Sequence, residues 1–474
     1  MKIDKNIVTL TIGRALQALL AIATLRMLTE FLPQDQIGKQ YLINSVILWF
    51  SMVLINPVGM FVNRHLHEWK SNKQLFYYIK QLNLYFFIVA AISIPLIFTL
   101  NYFNLVANIS ADFYIYAYFF LYILLSTWFQ TLTSLFNLFD EQKIFISLNI
   151  ASQFLGLVFA FFYIHYFSIN ALSWLFGLLT GQSISLMIGC YFYFKKFHFE
   201  QKSTPVVNTF FNKTALLFCY PVAITTLFMW LNTQGYRLIV QHHLGLETLA
   251  SLGVGFGLAA SVSSVVESIT TQFYYPKYYQ SLANSDLEKR ADNWIKLWQN
   301  CLSVYLPFCF LTISAAAFLV KVLTAQKFHH VIELVVVGAF VELFRQLSNV
   351  SYLVAHGEKK TDKTILPYAI GAMSIFILFY AFDKFSSLNE STVGYSLLLS
   401  GFFVCMFNLL TVNKLIQKSV NIVFLLKVVV ISMPMLLGYF LSIGNDSKIH
   451  LFLINCISGL YCVGAIYFVK KKSA

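Results

Sequence analysis

Long apolar runs separated by short polar stretches recur along all 474 residues of the chain. A helix needs about 20 apolar residues to cross a hydrocarbon layer ~30 Å thick. Runs of that length fall at 7–31, 41–62, 80–104, 112–138, 145–166, 171–194, 214–240, 247–274, 297–320, 331–355, 365–382, 393–413, 420–443 and 449–469. The pattern predicts an all-α polytopic membrane protein of about fourteen transmembrane helices. Its opening, Met1 to Lys5 before an apolar run, has the outline of a signal peptide. That run carries Arg14 and Arg26 and lacks a small-residue cleavage site, so it is read as the first span.

The charges test this reading. Numbered along those spans, 24 of the 33 Lys and Arg fall in alternate loops, among them Arg64, Lys70 and Lys73, Lys195 and Lys196, Lys289 and Arg290, and Lys470 to Lys472. The other set of loops holds only Lys39, Lys321, Lys327, Lys384 and Lys448. Basic residues collect on the cytoplasmic side, so both termini are expected there, in a bacterial inner membrane. Composition agrees. The chain is 58% hydrophobic and 11% charged, where a soluble domain has roughly 25% charged residues. A formal charge of +13 raises the question of nucleic acid, but the cations are scattered between apolar runs and form no basic domain. Nucleic acid is therefore not an expected partner; the lipid bilayer is. The seven cysteines lie in or beside apolar runs with no C-x-x-C pair and no histidine at zinc spacing, so they read as packing residues and no metal is expected.

An internal repeat joins the first two spans to the seventh and eighth. LRMLTEFLPQDQIGKQYL aligns with YRLIVQHHLGLETLASLGV, setting Arg26 on Arg237, Pro33 on Gly245, Asp35 on Glu247 and Ile37 on Leu249, with one inserted residue. FVNRHLHEW from Phe61 continues the match against FYYPKYYQS from Phe273, and LFNLFDEQK echoes VSYLVAHGEK. Copies six spans apart have the same orientation in the membrane. The expected organisation is two pseudo-symmetric six-helix lobes, 1–208 and 209–415, followed by an extra helical pair, 416–474.

No loop is long enough for a soluble catalytic domain, and neither G-x-x-x-x-G-K-[ST] nor G-x-G-x-x-G occurs. A built-in ATP motor is excluded, no catalytic residues are assigned, and no cofactor is expected. The first span with its loop, NIVTLTIGRALQALLAIATLRMLTEFLPQDQIGKQY, then YRLIVQHHLGLETLASLGVGFGLA with FYYPKYY, and LSNVSYLVAHGEKKTDK resemble the multidrug/oligosaccharidyl-lipid/polysaccharide (MOP) exporter superfamily. The resemblance spans nearly the whole chain and is strongest to polysaccharide flippases of the Wzx type. The chain departs from that pattern at Asn56 and Pro57, where an Asp is usual. The resemblance implies a transporter, not an enzyme. It would flip undecaprenyl-diphosphate-linked oligosaccharide from the cytoplasmic to the periplasmic leaflet by alternating access, for O-antigen (lipopolysaccharide) or other surface polysaccharide. Implied partners are the lipid-linked oligosaccharide, a polysaccharide polymerase and a chain-length regulator. The alternatives are a multidrug or cation antiporter of the same superfamily, a lipid II flippase, or a membrane-embedded glycosyltransferase.

A cargo bearing a diphosphate needs cations within the spans, where an unpaired charge is costly and so marks function or pairing. Arg14, Arg26, Arg237 and Arg345 are the candidates for substrate binding. Arg14 is expected to face a cavity. Arg26 and Arg237, related by the repeat, would either cap each wall of a cavity or snorkel to the interface. Glu342 and Arg345 lie three apart on one helix face and can pair. Glu267 has no local partner in sequence, so it and Glu342 are the candidates for ion coupling. Asn44, Ser51, Asn56, Asn232 and Gln234 can either bond sugar hydroxyls or tie helices together. Pro57 and Pro221 are expected to kink their helices, and Gly253 and Gly257 to allow close packing.

Overall fold

In a computed structural model, residues 5–103, 113–139, 141–196, 213–282, 286–358, 360–385, 387–444 and 447–471 are described, with the side chains of 5–12, 67, 70, 76, 277, 282 and 356 excepted. The expected lobe boundary at 208, and Lys2, Lys202, Lys359 and Lys472, lie outside them.

The described chain forms fourteen long helices, as the hydropathy pattern predicts. They are α1 (Lys5–Phe31), α2 (Gln34–Trp49, a π-helical turn Phe50–Ile55, then Asn56–Ser71), α3 (Leu75–Tyr102), α4 (Phe113–Leu138), α5 (Gln142–Tyr166), α6 (Ala171–Lys196) and α7 (Lys213–Trp230, a π-helical turn Leu231–Gly235, then Tyr236–His243). Next come α8 (Gly245–Leu282), α9 (Leu287–Leu323), α10 (Ile332–Gly357), α11 (Ile365–Phe385), α12 (Glu390–Ile416), α13 (Ile422–Ser432, a 3₁₀ turn Met433–Met435, then Leu436–Ser442) and α14 (Lys448–Lys471). Twelve of these, all but α1 and α10, are long and apolar enough over the described residues to cross a membrane. In α10 the apolar run is broken by Glu342, Arg345, Gln346 and Asn349.

Several helices outrun the apolar runs that signal them. The 38 residues of α8 and 37 of α9 reach about 55 Å at 1.5 Å per residue, well past a ~30 Å layer. Their added turns are the Lys- and Arg-bearing ends, and Asp286 caps α9 by accepting a 3.0 Å hydrogen bond from the Lys289 backbone N–H. Apolar length marks only the part of a helix that sits in hydrocarbon.

The chain divides into two compact units. One comprises 1–24 and Phe31–Leu249; the other comprises Leu25–Glu30 and 250–474. The seventh helix thus packs with the six before it, and the last helical pair with the helices from α8 onward.

In the first unit the tightest seam joins α5 to α6. A Cβ added at Gly181 would lie 2.0 Å from the Gly156 backbone N, and one at Gly177 would lie 2.3 Å from Ala160 Cα. Gly177-x-x-x-Gly181 faces Gly156-x-x-x-Ala160, the small-residue pattern that lets membrane helices approach backbone to backbone. In the second unit α9 is the central post. Trp294, Trp298, Cys301, Tyr305 and Phe310 are buried along it. The extra pair is fastened to it by the Ser314 to Ser458 hydroxyl contact of 2.8 Å, with Gly438 so close that a Cβ there would meet Ser314 Oγ at 2.1 Å. The expected packing around Gly253 and Gly257 centres on Gly255, whose Cβ position is 2.6 Å from Leu334 Cβ.

Candidate functional site

Two groups of polar residues interrupt the apolar interior, one in each unit. In the first unit, the interruption starts from proline chemistry. Pro57 has no N–H to give the preceding turn, and its ring crowds the carbonyl four residues earlier. Immediately upstream, α2 widens into the π turn Phe50–Ile55. Neighbouring helices take up the loosened backbone: Tyr85 Oη of α3 donates to Leu54 O at 2.7 Å, and Cys219 Sγ of α7 donates to Pro57 O at 3.5 Å. The kink expected at Pro57 is therefore realised as a π turn, a form of irregularity common at functional sites. In α7 the π turn lies at Leu231–Gly235, ten residues past Pro221. There Asn232 Nδ2 donates to Phe228 O at 2.8 Å and Thr233 Oγ1 to Met229 O at 2.9 Å, each bonding four residues back.

The two interrupted helices are stitched together. Trp230 Nε1 donates to Ser45 O at 2.8 Å. Arg237 Nη1 donates to Ser45 Oγ at 3.3 Å and to Tyr41 O at 3.4 Å, with its guanidinium 5.2 Å from the Tyr41 ring centre and 5.7 Å from that of Tyr236. Arg237 is thus held by carbonyl, hydroxyl and π faces. Arg14 is held more loosely. Its Nη1 donates to Gln17 Oε1 at 3.0 Å and its guanidinium lies 5.7 Å from the Phe145 ring of α5, while its buried Nε has no partner among the described residues.

Beside the α2 π turn, α2, α3 and α4 line an open cavity of about 360 Å³, within the ~300–1,000 Å³ range of small-molecule sites. Ser51 and Asn56 line it, joined by Asn63, Gln130, Thr131 and Ser134. Leu48, Met52, Leu82 and Phe86 supply apolar wall. Asn44, Asn232 and Gln234 are not among its lining residues. Sequence reasoning missed Asn63, Thr127, Gln130, Thr131 and Ser134, which obey helical spacing: Asn63 is seven residues from Asn56 on α2, and Thr127, Gln130, Thr131 and Ser134 recur at three and four on α4.

In the second unit the polar residues are charged and paired. Arg345 Nε donates to Glu342 Oε2 at 2.7 Å, and its Nη2 to Glu267 Oε2 at 2.8 Å. Asn349 Nδ2 donates to Glu267 Oε1 at 2.9 Å, and Gln346 Nε2 to Ser263 O at 2.8 Å. Glu267 is therefore not the isolated carboxylate that its sequence neighbourhood implies; its partners come from α10, some 80 positions along the chain. One cation and two carboxylates leave a formal charge of −1 in a cluster where Arg345 is 33% exposed and the glutamates 18% and 14%. Arg26 belongs to the same unit at another place. It pairs with Glu30 at 2.8 Å and donates to Thr324 O, while the Ala325 N–H donates to Thr29 Oγ1 at 3.1 Å. Within unit 2, Arg26 and Arg345 thus share no partner, and within unit 1 neither do Arg14 and Arg237. Among the described residues, no group of three or more His, Cys, Asp or Glu is arranged to hold a metal ion.

No protein-family model and no curated protein matches the sequence. Solved structures do match in fold. The lipid II flippase MurJ in an inward closed conformation superposes with a TM-score of 0.65 at 14% identity, covering 98% of this chain and 97% of that one. An inward-facing multidrug resistance MATE family transporter of the MOP superfamily gives 0.60 at 12% identity, covering 87% of this chain and 98% of its own. The eukaryotic MATE transporter AtDTX14 gives 0.54 at 11% identity, with 92% and 97% covered. The chain is a multi-pass membrane protein with the fold these transporters share.

Proposed function

We propose that this protein flips lipid-linked oligosaccharide units, carried on undecaprenyl diphosphate, from the cytoplasmic to the periplasmic leaflet of a bacterial inner membrane by alternating access. It serves O-antigen or another surface polysaccharide, with both termini in the cytoplasm. One observation carries the reading. The lipid flippase fold matches 98% of the chain and the two MATE transporter folds 87% and 92%, so the flippase match takes in more of the chain. A second supports it: among the described residues, Arg14 and Arg237 have no carboxylate partner, so each retains charge for a diphosphate, to which guanidinium donors are suited. In this reading Arg14 and Arg237 contact the carrier's phosphates, Arg26 and Arg345 reach the cargo only by exchanging their carboxylate partners for it, and Glu267 with Glu342 couples the cycle to an ion gradient.

Leaflet sidedness of a lipid-linked oligosaccharide in reconstituted vesicles, wild type against Arg14→Ala at matched insertion, is the test. Outward movement by wild type and a loss of about tenfold or more in the variant, the scale of one charge-assisted contact, is expected. Extrusion of cationic dyes without lipid movement would favour the antiporter reading, and chemical processing of the lipid-linked sugar the glycosyltransferase reading. The fold match to a lipid II flippase favours peptidoglycan precursor as the second reading, which the same vesicles distinguish when loaded with lipid II.

A further inference from the structure

The cavity at the α2 π turn has a lining that specifies a chemistry. Its polar contributors are amides and hydroxyls, and no lining residue is ionisable. The adjacent cation, Arg64, lies with its guanidinium 5.9 Å from the Phe218 ring of α7 and is not part of the wall. Among the described residues, the side chains of Ser51, Asn56, Asn63 and Ser134 have no hydrogen-bond partner. Neighbouring Thr131 donates instead to Thr127 O at 2.8 Å, and Gln130 to Ser126 Oγ at 3.2 Å. Two amides and two hydroxyls therefore offer both donors and acceptors to whatever occupies the space. Polar groups grouped within a span are costly unless they serve a wet or liganded site.

Gly59 gives an independent indication. It lines the cavity, and a Cβ there would meet nothing within 4 Å. At Gly38, Gly177 and Gly181 a missing side chain lets another backbone approach; at Gly59 it leaves room.

We infer that this cavity binds the uncharged, polyhydroxylated part of the cargo, a neutral sugar ring, and selects against acidic sugars. The inference rests on the flippase reading and assigns the sugar a place apart from the arginines. Each sugar hydroxyl donates and accepts, as the amides and hydroxyls of the wall do, and Phe86 with Leu82 offers apolar surface to the ring's C–H face. A carboxylate there would lose hydration with no cation in the wall to offset it.

The test is binding to the full-length protein in nanodiscs, with four probes: a lipid-diphosphate-linked neutral tetrasaccharide, the same glycan with one uronic acid, lipid diphosphate alone, and the free neutral tetrasaccharide. Wild type should bind the neutral lipid-linked glycan about tenfold or more tighter than the acidic one, the scale of an uncompensated buried charge. Gly59→Phe projects a ring into the cavity from a position where a Cβ meets nothing within 4 Å; it should cost about tenfold on both neutral glycans and leave lipid diphosphate unchanged. Asn56→Ala should cost about fivefold on the same probes, as one lost hydrogen bond does. Equal affinity for neutral and acidic glycans, or unchanged neutral binding in Gly59→Phe with its melting temperature preserved, would overturn the inference. Binding of the free neutral glycan that is lost in Gly59→Phe, with no binding of any lipid-linked probe, would uphold the cavity and reject the flippase reading. No binding of any probe would overturn the cavity assignment.

Discussion

In the first unit two of the helices that carry the polar groups, α2 and α7, are interrupted by π turns; in the second, α8 and α10 run unbroken. Around the π turns of α2 and α7, unit 1 gathers amides, hydroxyls and an arginine held by carbonyls and rings, beside an open cavity. At α8 and α10, unit 2 gathers one arginine and two glutamates that bond each other. The difference follows from what each kind of group needs in an apolar medium. Charges must find opposite charges at fixed geometry, and straight helices deliver that geometry. Neutral polar groups tolerate a wet or liganded space, and a widened turn opens one. Unit 1 thus leaves polar groups facing open space, whereas those of unit 2 satisfy one another.

That contrast can be broken most strongly at its supports. Gly181→Leu would drive a side chain into the Gly156 backbone at the α5–α6 seam. Loss of folded protein is expected, read as failure to recover a monodisperse species in detergent, whereas Gly59→Leu, facing open space, should keep its melting temperature. If both fold equally well, the distinction between packing and space-leaving glycines is wrong.

Next in size is the charge cluster. Arg345→Ala leaves Glu342 and Glu267 facing each other without their cation, which should cost about 3 kcal/mol, at the low end for a broken buried pair because Arg345 is a third exposed. Combining it with Glu267→Gln and Glu342→Gln should restore most of that loss in chemical or thermal unfolding. An additive triple variant would show that the three residues do not act as one unit. Glu267→Gln alone retains Asn349 as a partner, so only about 1 kcal/mol should be lost, and the proposed coupling role then appears as transport that no longer follows the ion gradient.

The α2–α7 contact of unit 1 should respond more mildly. Arg237→Lys gives up the planar fork toward Ser45 and Tyr41 and the stacking on Tyr41, for about 1 kcal/mol. The smallest effect is expected from Tyr85→Phe, which frees Leu54 O at the π turn for about 0.5–1 kcal/mol. A loss larger than that of Arg237→Lys would mean that Tyr85 holds the π turn itself and not merely one carbonyl.

Hydropathy carried the number and order of the helices, because crossing hydrocarbon imposes a minimum apolar length that no packing arrangement removes. It missed the ends of α2, α8 and α9, where helices continue into water. Pro57 announced a disturbance in α2, but α7 widens far from Pro221, where side chains of Asn232 and Thr233 bond backward and nothing in the local sequence says so. The pairing of Glu342 with Arg345 followed from helical spacing. The partner of Glu267 did not, since it depends on how α8 meets α10. Gly177-x-x-x-Gly181 was readable as a packing pattern and passed over, while the cavity needed three helices to assemble polar residues that are unremarkable one at a time.

The ion pair between α8 and α10 also bears on how the protein is made. Each charged residue at the centre of an isolated helix raises the cost of entering the bilayer by about 2.5–3.5 kcal/mol. Glu267 leaves the ribosome first, and Arg345 emerges with Glu342 only after α9 has followed. α10 brings Arg345 already paired with Glu342, whereas Glu267 of α8 meets no counter-charge by entering the lipid alone. For α8, entry is easier if it is held back until α10 has emerged, so that Glu267 meets Arg345 before lipid surrounds it.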